Sequence, residues 1–259
     1  MNEEIKISIN RFNFSYDGKI KVLHNISLDI VKNEITCFIG PSGCGKSTLL
    51  KCINSVNESI KSRHSEGIIT IDGHQILEKG EPTRIRSEEY KKPRVSMVKQ
   101  RYSLEHHSVF HHIAQVLKEV GIHNKSEYKD RVEYYLKKVC LWEEVKDRLL
   151  DSAQDLSRGQ QQRLSLAVAI AGNADIILLD CPTSALDPVS TEMIEELLVE
   201  LKEKHTILLV TNMMGLAARV SAYTAFLYQG QVYEYDRTTK VFMNPAVAET
   251  EYFVTHGFV

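Results

Sequence analysis

One short stretch could do chemistry on its own terms: Gly40-Pro41-Ser42-Gly43-Cys44-Gly45-Lys46-Ser47-Thr48. Glycines at these spacings let backbone N–H groups converge on phosphate oxygens, because glycine permits close approach and left-handed φ. Lys46 offers a point charge to the β- and γ-phosphates, and the Ser47 hydroxyl offers a ligand to Mg²⁺. A helix beginning here turns its positive end to the same place. A carboxylate for the cation stands at Asp180, closing the apolar run Ile176-Ile177-Leu178-Leu179, where it can reach Mg²⁺ through water. These residues predict a bound nucleoside triphosphate with Mg²⁺. The residue after the carboxylate is Cys181, a thiol where a stronger base would serve hydrolysis better.

The elements that must position these groups are legible in the hydrophobic pattern. Ile35 to Ile39 reads as a strand running directly into the glycine-rich loop, with an earlier strand over Ile5 to Ile9. Ile176 to Leu179 and Ile207 to Val210 are short, wholly apolar runs, as expected of parallel strands covered on both faces. Tyr128, Val132, Tyr135, Leu136 and Val139 share one helical face, and so do Ile194, Leu197, Leu198 and Leu201. Asp187-Pro188 supplies an N-cap and first-turn proline for the second of these helices. Strand, loop and helix in alternation predict an α/β P-loop fold. From about Tyr102 to Leu166 the pattern is helical without clear strands.

Bulk properties narrow the partners. The chain has 259 residues, 43% of them hydrophobic, enough for one large α/β domain or two small ones. With 32 basic and 34 acidic residues, its near-balance gives no electrostatic footprint for nucleic acid. The five cysteines lie far apart with no CxxC pair, which points to a reducing, cytosolic compartment. No apolar run approaches the roughly 20 residues of a membrane helix.

Leu156-Ser157-Arg158-Gly159-Gln160, followed by Gln161-Gln162-Arg163, resembles the signature motif of ABC-type ATPases, whose usual form has a second glycine at the Arg158 position. The resemblance implies an α/β P-loop NTPase fold of the ABC ATPase type within a single domain, 1–259. Its central sheet would be mostly parallel, with an antiparallel β part and a helical subdomain inserted at about 102–166. It implies that Ser157, Arg158, Gly159 and Gln160 face the ATP of a second subunit across a dimer. Gln100 matches the glutamine that touches Mg²⁺ and the γ-phosphate, so the implied metal set is Ser47, Gln100 and Asp180. Ser184-Ala185-Leu186-Asp187 matches the loop at the dimer interface, and Tyr16 the aromatic ring stacked on adenine. A half-buried strand tyrosine remains the alternative for Tyr16.

Several stretches resemble the branch that imports phosphate into bacteria. They include Cys52-Ile53-Asn54, Leu141 to Leu149, Pro182 to Pro188, Ala218 to Phe226 and Asn244-Pro245. This implies a peripheral subunit on the cytoplasmic face of the cell membrane, working as a dimer, with a homodimer expected, under two membrane-spanning permease subunits. Gln100 to Ile113 is the expected docking surface for them. Coupling of ATP to phosphate uptake is one implied function. A hydrolysis-deficient ATP-binding module that regulates or scaffolds a transporter is the other. A soluble ABC protein would carry two fused ATPase domains, and one loop with one signature counts against that.

Three positions depart from the family. Cys181 replaces the glutamate that activates water. A free thiol titrates near ~8.5, and nearby phosphate charge raises that further. Asn212 replaces the switch histidine and can never carry positive charge. Arg158 alters the signature. Together they predict slow hydrolysis at catalytic positions Gln100, Asp180, Cys181 and Asn212. Finally, His106-His107 and His111-His112 include an HxxxH spacing, read as a solvated patch because too few ligands complete a metal set.

Overall fold

The computed structural model describes residues 3–56, 64–78, 81–83, 93–100 and 106–257. The strands form two sheets, and the strand that feeds the loop lies inside the larger one. The six-stranded one takes the order β11 (Gln231–Arg237), β10 (Tyr223–Tyr228), β3 (Ile35–Ile39), β9 (Thr206–Val210), β8 (Ile176–Asp180) and β7 (Val95–Val98). All of its pairings are parallel except that of β10 with β11. The second sheet is antiparallel, in the order β2 (Lys21–Val31), β1 (Ile5–Ser15), β4 (His64–Ile71), β5 (His74–Glu78) and β6 (Glu81–Pro82).

Wholly apolar strands are accounted for by a core on each face. Ile177 and Leu179 of β8 and Ile207 and Leu209 of β9 point to the helical side, while Ile176, Leu178, Leu208 and Val210 point toward the antiparallel sheet. Both faces are dry, so alternation of polarity along these strands disappears. Helix α1 (Lys46–Ile53) lies between the sheets, burying Leu49, Leu50, Cys52 and Ile53. β1 runs on past the expected Ile9 to Ser15, because Phe12 and Phe14 continue its buried face.

Described residues 106–166 form helices, with one isolated bridge between Ser108 and Ser152. They are α2 (Val109–Glu119), α3 (Lys125–Lys138), α4 (Trp142–Val145) and the start of α5 (Arg158–Ala171). Val132, Leu136 and Val139 are buried, as the periodicity requires, and α5 runs through position 166 without a break. Helix α6 (Pro188–Leu201) is capped by Asp187, whose Oδ1 accepts from Ser190 N at 2.9 Å. The chain closes with α7 (Met214–Val220), α8 (Thr238–Met243) and α9 (Ala248–His256). Among the described residues no helix is long and apolar enough to cross a membrane.

Two expectations change in this region. Of the Gln100–Ile113 surface, 101–105 fall outside the described residues, and Val109, His112 and Ile113 turn into the core. Helix α2 is amphipathic, so only part of that stretch, with His106 and His111, remains exposed. Nor is the histidine group simply a solvated patch. His112 is buried, and the His107 and His111 rings lie 4.5 Å apart by centroid.

Candidate nucleotide site

The loop leaves β3, turns at Gly45 and enters α1 with Lys46 as its first helical residue. Gly45 is the N-cap at φ 109°, a left-handed conformation that a side chain would strain. First-turn N–H groups have no partner within their helix, so α1 presents donors and its positive end toward the loop. Lys46 is buried at 6% exposure, and its ammonium donates to Gly40 O at 2.6 Å and Pro41 O at 2.8 Å. The sequence placed this ammonium on the phosphates. Here its ammonium, which has three donors, lies on carbonyls of its own loop.

Ser47 Oγ donates to Asp180 Oδ1 at 2.9 Å, joining the start of α1 to the end of β8. A hydroxyl and a carboxylate in contact are hard oxygen donors, the kind Mg²⁺ takes together with phosphate and water, so these residues fit the cation. Burial pushes the Asp180 carboxyl above the ordinary aspartate range, opposed by the Ser47 hydrogen bond and by Lys51 and Lys46. A cation bound there would favour the charged carboxylate.

A cleft of about 240 Å³ brings Ser42, Lys46, Ser47 and Thr48 together with Gln100, Cys181 and Asn212. Most residues predicted for gripping phosphate thus line one space with three of those predicted for cleaving it, Gln100, Cys181 and Asn212, while Asp180 reaches it through Ser47. Cys181 adopts φ 52°, and its N–H donates to Val210 O at 2.9 Å. Burial pushes its thiol up from the ordinary value, and the Asp180 charge adds to this. The direction agrees with the expectation, with burial and the Asp180 charge as its causes here. Asn212, just past β9, is exposed. Tyr16 is 48% exposed, stands edge-on to Phe14, and its hydroxyl lies 3.2 Å from Thr48 Oγ1. It is therefore neither a plain strand tyrosine nor free of the loop.

The signature segment opens α5. Ser157 is its N-cap: Ser157 Oγ accepts from Gln160 N at 3.3 Å, and Gln160 Oε1 accepts from Ser157 N at 2.9 Å. This reciprocal capping explains the serine and the glutamine from within the fold. The Ser157 hydroxyl hydrogen remains available to a further acceptor, since its oxygen is the group used. Gly159 has a packing reason too, because a Cβ there would meet Ala185 O at 2.8 Å. Arg158 is exposed.

Two residues with positioning roles were not singled out by the sequence. Gln162, buried on α5, donates to Cys181 O at 2.7 Å and accepts from Ala185 N at 3.2 Å. It ties the signature helix to the backbone beside Asp180. Glu144 on α4 receives both arms of Arg163, at 2.6 and 3.1 Å, and the Gln160 amide at 2.8 Å. A glutamine and an arginine on the inward face of a helix were the available signals, since buried polar groups need partners. Among the described residues no group of three or more His, Cys, Asp or Glu side chains could hold a metal by itself.

The ABC transporter family profile matches residues 23–184. The phosphate import ATP-binding protein PstB of Bacteroides thetaiotaomicron is 44% identical over 256 residues, covering 99% of each chain. The PstB of Bacteroides fragilis is 44% identical over 258 residues, covering 100% of each. Among solved structures, an ATP-binding subunit of an ABC transporter superposes with TM-score 0.76 at 21% identity, over 96% of this chain and 98% of its own. The ATP-binding cassette MJ0796, a dimer in a post-hydrolysis state bound to ADP and Pi, gives 0.71 at 26% identity, over 90% and 98%. The fold and the end-to-end likeness agree: the chain belongs to the ATP-binding subunits of ABC transporters, on the branch of the phosphate import ATP-binding proteins.

Proposed function

We propose that this chain binds Mg·ATP in the cleft between the loop and the ends of β8 and β9, and that this binding drives phosphate import through two membrane-spanning permease subunits. In this reading it sits peripherally on the cytoplasmic face of the cell membrane and pairs with a second copy of itself. The observation that supports it most is the single cleft joining Lys46, Ser47 and Thr48 to Gln100, Cys181 and Asn212. The loop, Lys46 and Tyr16 hold the nucleotide, Ser47, Gln100 and Asp180 hold Mg²⁺, and Ser157 to Gln160 meet the nucleotide of the second copy. Mg²⁺, when bound, neutralises phosphate charge. The chain's own groups grip and orient the triphosphate.

Hydrolysis is slow in this reading, because the thiol of Cys181 stays protonated near neutral pH and Asn212 cannot become cationic. The same two residues favour a second reading, a module that binds ATP and regulates or scaffolds a transporter without cleaving it. Steady-state ATPase and phosphate uptake, measured together on the assembled transporter, separate the two. Slow turnover coupled to uptake supports the importer. Intact ATP binding with neither turnover nor uptake supports the module. Absence of ATP binding defeats both.

A further inference from the structure

Helix α4 is a single turn pinned by Leu141 and Val145, both fully buried. Its two carboxylates part ways. Glu143 is exposed and pairs with Lys146 at 2.6 Å, while Glu144 reaches across to α5. There it meets Arg163, buried at 7% exposure, where a guanidinium left without a carboxylate would be costly. The two form a fork on a fork: Nη1 donates to Oε1 at 2.6 Å and Nη2 to Oε2 at 3.1 Å. Arg163 Nη1 also donates to Cys140 O, in the turn between α3 and α4, so the guanidinium is held from two sides.

The same carboxylate governs Gln160, because Glu144 Oε2 accepts from Gln160 Nε2 at 2.8 Å. Against the burial that raises it, hydrogen bonds from Arg163 and Gln160 hold the Glu144 carboxyl below its ordinary range. At neutral pH it therefore accepts and never donates. A primary amide has a donor end and an acceptor end, and only the donor end can face a carboxylate. With Nε2 fixed on Glu144, Oε1 is left for the other side. There it accepts from Ser157 N at 2.9 Å and from Arg148 Nη2 at 3.4 Å. Turned over, Gln160 would set donor against donor at Ser157 N and acceptor against acceptor at Glu144. The orientation of the capping box is thus chosen by a residue on another helix.

We propose that Glu144 is a positioning residue for the signature: by fixing which way the Gln160 amide faces, it holds Ser157 at the N-cap with its hydroxyl hydrogen free. Ser157 Oγ is occupied as an acceptor by Gln160 N at 3.3 Å, which leaves that hydrogen as its open function. Contacts run from Cys140 O through Arg163, Glu144 and Gln160 to Ser157, so side chains tie the turn between α3 and α4 to the signature. That the hydroxyl meets the nucleotide of a second copy rests on the proposed pairing, whereas the orientation of Gln160 does not.

Amide hydrogen exchange, calorimetry and light scattering on the full chain test this, using wild type, Glu144→Ala, Glu144→Gln, Ser157→Ala and Glu144→Ala combined with Ser157→Ala. Without nucleotide, the Ser157 and Gln160 amides should exchange faster in Glu144→Ala, with α1 unchanged. ATP affinity in dilute protein should stay within about twofold, while the ATP-driven dimer weakens by roughly tenfold, the scale of one charge-assisted hydrogen bond. Glu144→Gln should fall between, since an amide offers Gln160 a donor as well as an acceptor. The combined variant should dimerise no worse than Ser157→Ala alone, because contacts in series do not add. Additive losses would give Glu144 a separate structural role and overturn the proposal. Unchanged exchange at Ser157 and Gln160 would overturn it too, as would an ATP affinity that falls in step with dimerisation. A wild type that binds ATP and stays monomeric, with the faster exchange still seen in Glu144→Ala, would remove the pairing and keep the positioning role.

Discussion

The two sides of the nucleotide cleft have been treated differently. On the gripping side, strand β3, the loop and α1 are continuous in the chain, Lys46 is buried against the loop, and Ser47 touches Asp180. On the cleaving side, the backbone is held as firmly: Cys181 N–H bonds Val210 O, and Gln162 clamps Cys181 O. In the proposed reading only the side chains differ from what water activation needs, a thiol raised by burial at Cys181 and a neutral amide at Asn212. On that reading phosphate grip and water activation are separable within one fold. The first depends on a continuous backbone shape, while the second rests on two side chains that can change without moving that backbone.

The strongest way to break this contrast is to restore the missing chemistry. Cys181→Glu with Asn212→His should raise turnover by at least ~10-fold, a conservative share of the ~10²–10⁴ that a positioned base contributes. Cysteine already occupies φ 52° there, so glutamate inherits a backbone strain the fold already sustains. A single-turnover assay reads the change, and an unaltered rate would mean that the cleaving side fails for another reason. The opposite side is probed by Lys46→Ala, which should weaken ATP by roughly tenfold through loss of a charged hydrogen-bond donor. Calorimetry giving equal affinities would remove Lys46 from the grip on ATP.

Tyr16 offers a smaller, sharper test of the gripping side. Its hydroxyl reaches Thr48 while its ring stays half open. Tyr16→Phe should cost ATP less than about threefold, and Tyr16→Ala more, since stacking needs the ring and not the hydroxyl. Measured against free triphosphate, Tyr16→Ala should show a smaller loss. Identical losses for the two ligands would limit Tyr16 to supporting the loop.

The same division explains what could be read from the sequence. Ile35–Ile39, the loop and the apolar runs of β8 and β9 were legible because a glycine-rich turn and two-sided burial leave few other patterns. Asp187 as a cap and the inward face of α3 followed from local rules. Gln162 and Glu144 were not legible, because their roles come from contacts between α5, α4 and the turn after β8 that no spacing encodes. Nor were the contacts of Lys46 with the carbonyls of Gly40 and Pro41 in its own loop. The buried His112 was hidden in a run of histidines whose exposure depends on how α2 rolls against the core.

The smallest expected effect is an absence of pH dependence, and it bears most directly on Cys181. The thiolate is the basic form, and both burial and the Asp180 charge raise the thiol above its ordinary value. Below that value each unit of falling pH removes tenfold of the thiolate, so a thiolate base would give log turnover a slope near one between about pH 6.5 and 8.5. If the thiol stays protonated and idle, turnover should show no such slope. Cys181→Ser should then keep the wild-type profile and a rate within about threefold, because neither neutral group takes a proton effectively. Steady-state rates across that range, with Mg·ATP saturating, decide the matter. A slope of one in wild type that vanishes in Cys181→Ser would make the thiolate a working base. The cleaving side would then be altered rather than disabled, and its difference from the gripping side would be one of rate alone.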